Sequence, residues 1–313
     1  GAAKGAYDPD IFWLDSSTVP TIGDYFRTAG YQTYWRGKWH ASAADILIPG
    51  TKNAFLSYDP ENGVPVPANE QLYKRANVLA DFGFDGWIGP EPHGANPRNS
   101  GSSAATGLSG RDVIYAEQTV DLIKELAEAY KKADGRPSKP WLIVSSFVNP
   151  HDIAIFGDIT RIQPQFKFRV DPSVPYIPPA PTATESLSTK PVAQFSYRNV
   201  YPLALQPLQD TLFYRQLYYS LQLEADRQIC KVLNALMDSV FYQNTIVIFT
   251  SDHGELLGAH GGLFQKWYQA YEESIHVPLI IHNPVLFSRP AATNMLTSHV
   301  DLLPTILGIA GLN

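Results

Sequence analysis

The sequence predicts an α/β fold, a mostly parallel central sheet sandwiched by helices, and three observations lead there. Short apolar, β-branched runs at 32–36, 141–148 and 245–250 are separated by longer segments of helical period, the pattern of strands joined by helical crossovers. Each run is followed at once by a cluster of chemistry-bearing residues: Gly37-Lys38-Trp39-His40, Asn149-Pro150-His151 and Ser251-Asp252-His253-Gly254-Glu255. Ligands of open α/β sheets bind at the carboxyl ends of the strands, so three clusters distant in sequence are expected to meet at one edge. Finally, 313 residues that are 44% hydrophobic are enough for a large core.

The elements follow in order. Thr21 ahead of Ile22, Tyr25, Phe26 and Ala29 predicts a short amphipathic helix stopped by Gly30, and residues 31–36 read as the first strand. Residues 42–110 are rich in Gly, Pro, Asn and aromatics and read as irregular, with an ordered loop containing one short strand at 81–90 and a surface loop at 94–110. Its aromatics between 82 and 87 suit a small local core, and would also suit stacking on a sugar or aryl ring. From 112 to 132, Val113, Val120, Ile123, Leu126, Ala127 and Tyr130 recur at helical spacing until Gly135 and Pro137. The apolar run at 141–148 is that of a central parallel strand. Residues 153–207 hold nine prolines and no clear period. Too long for a plain connector, they read as an excursion packed over the sheet edge, one wall of a pocket. Residues 208–240 lack Gly and Pro, and Leu217, Leu221, Ala225, Ile229, Leu233 and Leu236 predict a long helix. Residues 246–250 and 277–282 read as further core strands, and 301–310 as a helix opened by Asp301 and closed by Gly311. No internal repeat is present, and 1–313 reads as one domain.

Bulk properties exclude several classes. A net charge of −6 without a single-sign run gives no nucleic-acid footprint. No apolar stretch reaches the ~18–20 residues of a membrane span. One cysteine, Cys230, rules out an intrachain disulfide and a cysteine zinc cluster; within the long helix it reads as a small core side chain rather than a nucleophile. The chain opens on Gly1, with no signal peptide, and its start is expected to have been cut.

The clusters carry the chemistry. Asp252 and His253 offer a carboxylate oxygen and an imidazole nitrogen to one divalent cation, with Gly254 supplying the turn that lets two neighbours share it; an N-cap aspartate beside an incidental histidine is the ordinary alternative. Lys38 and His40, at i and i+2 of an extended segment, would share a face. The ammonium suits a sulfate or phosphate oxygen and the imidazole a nucleophile's proton; a snorkelling lysine and a packed histidine around Trp39 would have no such role. His151, presented stiffly after Pro150, suits a general acid at a leaving alkoxide, or a capping role. Lys266, downstream of His260-Gly261-Gly262, suits a second cation for the transferred anion, or is simply exposed. His260 could line the same pocket, and His93 could reach substrate from its loop.

Taken together these segments resemble the sulfatase family of the alkaline phosphatase superfamily. The resemblance runs from residues 21–33 and Gly37-Lys38-Trp39-His40, through Asn149-Pro150-His151 and residues 251–258, to His260-Gly261, Lys266, Glu272-Glu273-Ser274, residues 277–281 and 300–305. Each motif alone is weak; the shared order and spacing is specific. The resemblance implies an alkaline-phosphatase-like fold and a sulfuric ester hydrolase. Asp252 and His253 would hold the metal, calcium first, manganese or magnesium next. Lys38 and Lys266 would bind sulfate oxygens, His40 would serve the nucleophile and His151 would protonate the leaving group. A hydrated formylglycine would attack sulfur, and sulfate would then leave the covalent intermediate. The substrate implied is a small-molecule or carbohydrate sulfate ester; no nucleic acid and no membrane is implied, a periplasmic or extracellular location is favoured over others, and no oligomeric state is fixed. One departure stands out. The Cys/Ser-x-Pro-x-Arg motif that yields formylglycine is not in the sequence, nor are two further metal-binding aspartates on a first strand; Asp8, Asp10 and Asp15 do not fit that strand. The chain is therefore expected to be an internal piece of a sulfatase, 1–313 forming part of one catalytic domain and inactive by itself. The rival readings are a phosphodiesterase or phosphonate monoester hydrolase of the same superfamily, and a non-catalytic binding protein on the same scaffold.

Overall fold

The structure, a computed structural model, describes residues 13–92, 100–101, 110–133, 139–157, 160–164, 166–200, 207 and 209–312. The predicted surface loop at 94–110 falls largely outside the described residues. Helix α1 (Ile22–Thr28) starts where expected because the Thr21 hydroxyl accepts from the N–H groups of Gly23 and Asp24 while the Asp24 carboxylate accepts from Thr21 N–H, a reciprocal capping box. It leads into β1 (Gln32–Gly37), which lies parallel to β2 (Trp141–Ser146) in a register running from Gln32↔Trp141 to Gly37↔Ser146. Tyr34 also forms a parallel bridge to Asp85, the one strand-like contact of the 81–90 loop among the described residues.

Part of the region expected to be irregular is a helix, α2 (Pro67–Ala76). Proline at its first turn needs no N–H partner, left-handed Asn77 ends it, and its Tyr73 is buried in a core with Leu79, Phe84, Trp87 and Ile88. The aromatics between 82 and 87 are thus a local core. Helix α3 (Arg111–Lys132) matches its predicted span. The proline-rich excursion contains α4 (Val192–Val200), a helix its composition concealed. The excursion packs onto residues 256–263: Gly261 N–H donates to Thr182 O at 2.9 Å, and Leu187 and Tyr197 are buried with Leu256, Ala259 and Leu263. Helix α5 (Leu212–Met237) lies against α3, burying Tyr214, Leu217, Leu221, Ala225 and Gln228. Cys230 falls off that stripe and is exposed rather than part of the core.

The last two strands, β3 (Val247–Thr250) and β4 (Leu279–His282), pair antiparallel. Only one-turn helical segments separate them, so no crossover helix carries the chain back to a parallel start. They are also not the buried strands their composition predicts: Phe249 and Leu279 are each 37% exposed and Ile280 56%. Helix α6 (Leu302–Ile309) is preceded by Ser298, whose N–H is taken by the Asp301 carboxylate at 2.8 Å. Among the described residues no helix is long and apolar enough to cross a membrane.

The junction from β1 into its loop depends on Gly37. Its φ is 103°, and a Cβ there would run into the Ser146 carbonyl across the strand pair. Gly37→Ala is expected to cost about 3 kcal/mol or more. At Gly30, where φ is 90° but nothing lies within reach of a Cβ, alanine meets only backbone strain, about 1–2 kcal/mol. Urea unfolding of both variants checks the difference.

Candidate active site

The Lys38 loop is built from backbone anchors. Lys38 N–H donates to Ser146 O at 3.0 Å, Trp35 Nε1 donates to Lys38 O at 2.9 Å, and Trp87 Nε1 donates to Gly37 O at 2.8 Å. The chain then reverses rather than running on extended, because His40 is left-handed with φ 47°. Strand alternation therefore does not apply to Lys38 and His40. The exposed His40 ring tilts against Trp13 with centroids 5.8 Å apart, whereas the Lys38 charge acts on Asp252, His253 and Lys266.

His151 begins a one-turn 3₁₀ segment (His151–Ile155) after a cis Asn149–Pro150 bond. Its N–H donates to Val148 O at 3.0 Å, and Ile153 anchors the turn in a core with Tyr214, Leu217, Leu221 and Phe264. Asp112, at the start of α3, accepts from Val148 N–H at 2.7 Å and Asn149 N–H at 2.9 Å.

Asp252 and His253 follow β3 directly. Gly254 allows a close approach: its N–H donates to Ser274 O at 2.9 Å, and a Cβ would strike the Glu273 carbonyl. His253 Nδ1 lies 2.7 Å from Gly254 O. A carbonyl only accepts, so Nδ1 carries the proton and Nε2 keeps its lone pair. Burial, then Lys266, hold the His253 pKa below its ordinary value against the pull of Asp252. Its enclosure raises the Asp252 carboxyl, but His253, Lys38 and Lys266 together outweigh that and leave it lowered. With the Asp252 side chain 74% exposed, solvent damps these fields.

Lys266 sits between left-handed Gln265 (φ 59°) and left-handed Tyr268 (φ 58°), its Nζ 5.6 Å from the Trp267 ring centroid. Burial and then Lys38 push its pKa down, opposed by Asp252 and Glu255. Glu255 fixes the turn by accepting from Gln265 N–H at 2.6 Å and Leu257 N–H at 3.1 Å.

The pair at 252–253 fits a cation. His253 Nε2 and Asp252 Oδ2 lie 3.5 Å apart. Two electron-rich acceptors facing each other at that spacing are stabilised by a positive ion between them, and His253 donating its other ring N–H to a carbonyl is the usual support of a metal-bound imidazole. Among the described residues no group of three or more His, Cys, Asp or Glu is arranged to hold a metal, so this pair by itself would offer an ion two ligands.

Structure thus brings Lys38, Asp252, His253 and Lys266 within reach of one another's charge. The His260 ring stacks on Tyr271 at 3.6 Å, Nδ1 lies 2.8 Å from Glu185 Oε2, and Nε2 lies 3.2 Å from Glu273 Oε2. It ties the excursion to the loops after β3. His93 lies outside the described residues. Sequence reasoning missed Glu91, which accepts from Trp39 N–H at 3.2 Å and His40 N–H at 2.6 Å, and His299, whose Nε2 donates to Ser251 O at 2.8 Å. An acid between two prolines, Pro90-Glu91-Pro92, was the one signal for the former.

The chain is 28% identical over 292 residues to the uncharacterized sulfatase YidJ of Escherichia coli (strain K12), covering 93% of this chain and 52% of that protein. The chain thus spans about half the length of the curated relatives it matches. In fold it is similar to the 2-O GAG sulfatase BT1596, with a TM-score of 0.56 and 20% identity over 98% of this chain and 55% of that one. It is also similar to the phosphonate monoester hydrolase of Agrobacterium radiobacter, with a TM-score of 0.57 and 18% identity over 96% of this chain and 60% of that one. These likenesses give the alkaline-phosphatase-like α/β fold. The sulfatase family model matches residues 3–312, nearly the whole sequence and every one of the three loops, and the chain belongs to the sulfatase family.

Proposed function

We propose that the whole protein hydrolyses sulfate monoesters of a small molecule or carbohydrate. Lys38 and Lys266 bind the sulfate oxygens. His151 gives its proton to the leaving oxygen as the S–O bond breaks, and His40, exposed at its loop tip, orients the nucleophile. That nucleophile is a formylglycine contributed by residues other than 1–313. Asp252 and His253 hold a divalent cation, calcium by expectation with manganese or magnesium as alternatives. When bound, the ion neutralises sulfate charge and favours ionisation of the nucleophile. An extracytoplasmic setting belongs to the same reading.

One observation carries this proposal: Lys266, its pKa lowered by burial and then by Lys38, lies within the fields of Lys38 and Asp252, beside a carboxylate–imidazole pair 3.5 Å apart. Two neighbouring cations are stabilised by an anion between them. The test is a parallel measurement, on the full-length protein, of kcat/KM for an aryl sulfate and for a phosphate diester. Preference for the sulfate is expected. The reverse preference would make the protein a phosphodiesterase or phosphonate monoester hydrolase, and turnover of neither a binding protein.

Metal removal gives a second check. Calcium at 100 times its Kd is expected to stabilise the chelator-treated protein by about 2.7 kcal/mol, seen as a rise in Tm. The rise should vanish in Asp252→Ala; an equal rise in that variant would place the ion elsewhere.

A further inference from the structure

In each of the three loops one carboxylate accepts two backbone N–H groups. Glu91 takes those of Trp39 and His40, Asp112 those of Val148 and Asn149, and Glu255 those of Leu257 and Gln265. Glu91 and Asp112 lie far in sequence from the residues they hold and Glu255 lies within its own loop, yet each holds residues close to a group of the proposed site: Lys38, His151 and Lys266. Two of them are deeply buried, Glu91 at 8% exposure and Asp112 at 2%.

We propose that Glu91 and Asp112 are positioning residues: as carboxylates they fix the loops bearing Lys38 and His151 in the geometry that binds and cleaves the ester, and as neutral carboxyls they loosen them. The inference rests on the site assignment above. Its physical basis is the number of acceptors. A carboxylate offers an acceptor oxygen to each of two N–H groups, whereas a protonated carboxyl turns one of its oxygens into a donor. At His40 the grip also holds a backbone conformation that non-glycine residues seldom adopt.

Burial, modified by neighbouring charges, places this switch near neutrality. Glu91 faces Asp45, whose carboxylate accepts Glu91 N–H at 2.7 Å, and Lys38. Asp112 faces Asp152 and Lys38, and Tyr115 lies within the fields of Glu91, Asp112 and Arg111. Burial pushes Glu91 and Asp112 up to about 7 each, the backbone N–H groups and Lys38 pulling back and the neighbouring aspartates adding to the rise. The loops are therefore tight above that pH and slack below it.

The test uses the full-length protein with calcium and its near-isosteric variants Glu91→Gln and Asp112→Asn, assayed on an aryl sulfate at pH 5.5 and 8.5. The variant-to-wild-type ratio of kcat/KM is expected near one at the lower pH and about 10- to 100-fold below one at the higher, without a loss of Tm at pH 8.5. Inorganic sulfate binding to Glu91→Gln, read by calorimetry, should weaken at pH 8.5 alone. A ratio independent of pH, wild-type rates at pH 8.5, or failure of both variants to fold overturns the proposal. Should the wild type cleave no sulfate ester, the hydrolase assignment fails, and the pH dependence of sulfate binding still decides whether Glu91 positions Lys38.

Discussion

Lys266→Ala in the full-length protein is expected to lower kcat/KM for a sulfate ester by about 100- to 1,000-fold, the range found when one preorganised charge-stabilising donor is removed from an active site. Lys266 is held between two left-handed residues, and its turn is tied to Glu255, so the ammonium is aimed before any substrate arrives. It is half-buried, and its charged form is held at the expense of desolvation and of repulsion from Lys38. A transferred sulfate relieves both. Arginine should not rescue the variant, because a planar fork does not occupy the place of a compact ammonium. The two lysines should be coupled: with Lys38 already alanine, the further loss at Lys266 is expected to be smaller, since the repulsion between them has gone. Steady-state kinetics on the single and double variants measure this. Unchanged kcat/KM in Lys266→Ala would remove this residue from the site.

The second large effect is on stability, and its sign opposes the ordinary behaviour of carboxylates. Asp112 rises from 3.8, and Glu91 from 4.5, each to about 7, chiefly through burial. Between their unfolded and folded pKa values the folded chain therefore holds protons that the unfolded chain has released. The stabilisation is complete below about pH 4, falls as pH rises to about 7, and levels off above. At 1.36 kcal/mol per unit, each residue is worth about 3–4 kcal/mol across that window. Asp112→Asn abolishes its own share while losing one backbone hydrogen bond, worth about 1–3 kcal/mol when a buried N–H is left unmet. The variant should be less stable than wild type at pH 5 and equal to it or better at pH 8. Urea unfolding at the two pH values measures it; parallel pH profiles for variant and wild type would contradict the buried-carboxylate account. Stability lost on ionisation is the counterpart of the grip those carboxylates provide.

How much of this was legible in the sequence differs by element. Local signals served well where the physics is local: Thr21 and Asp24 announce α1, the apolar spacing marks α3 and α5, and 32–36 and 141–148 read as strands, which the structure pairs in parallel. The helix α4 escaped because surrounding prolines masked a nine-residue amphipathic stretch, and α2 because glycine- and proline-rich flanks dominated its window. The direction of β4 depends on what connects it to β3, which strand composition does not encode, and the exposure of Phe249 and Ile280 depends on what packs against them. At the site, Lys38, Asp252, His253 and Lys266 were each found as motif residues and lie within one another's fields. The alternation argument for His40 failed because β1 ends at Gly37 and the chain turns. Glu91 and Asp112 were invisible as a pair: each acts through backbone N–H groups far away in sequence, and no side-chain pattern records such a contact.

The account depends on side chains from three loops surrounding one anion and its cation. The most direct measurement is a crystal structure of the full-length protein grown with calcium and sulfate. It should show a sulfate within hydrogen-bond reach of Lys38 Nζ and Lys266 Nζ, and an ion bound by Asp252 and His253. Sulfate absent from between the two lysines, with the ion bound away from 252–253, would contradict it.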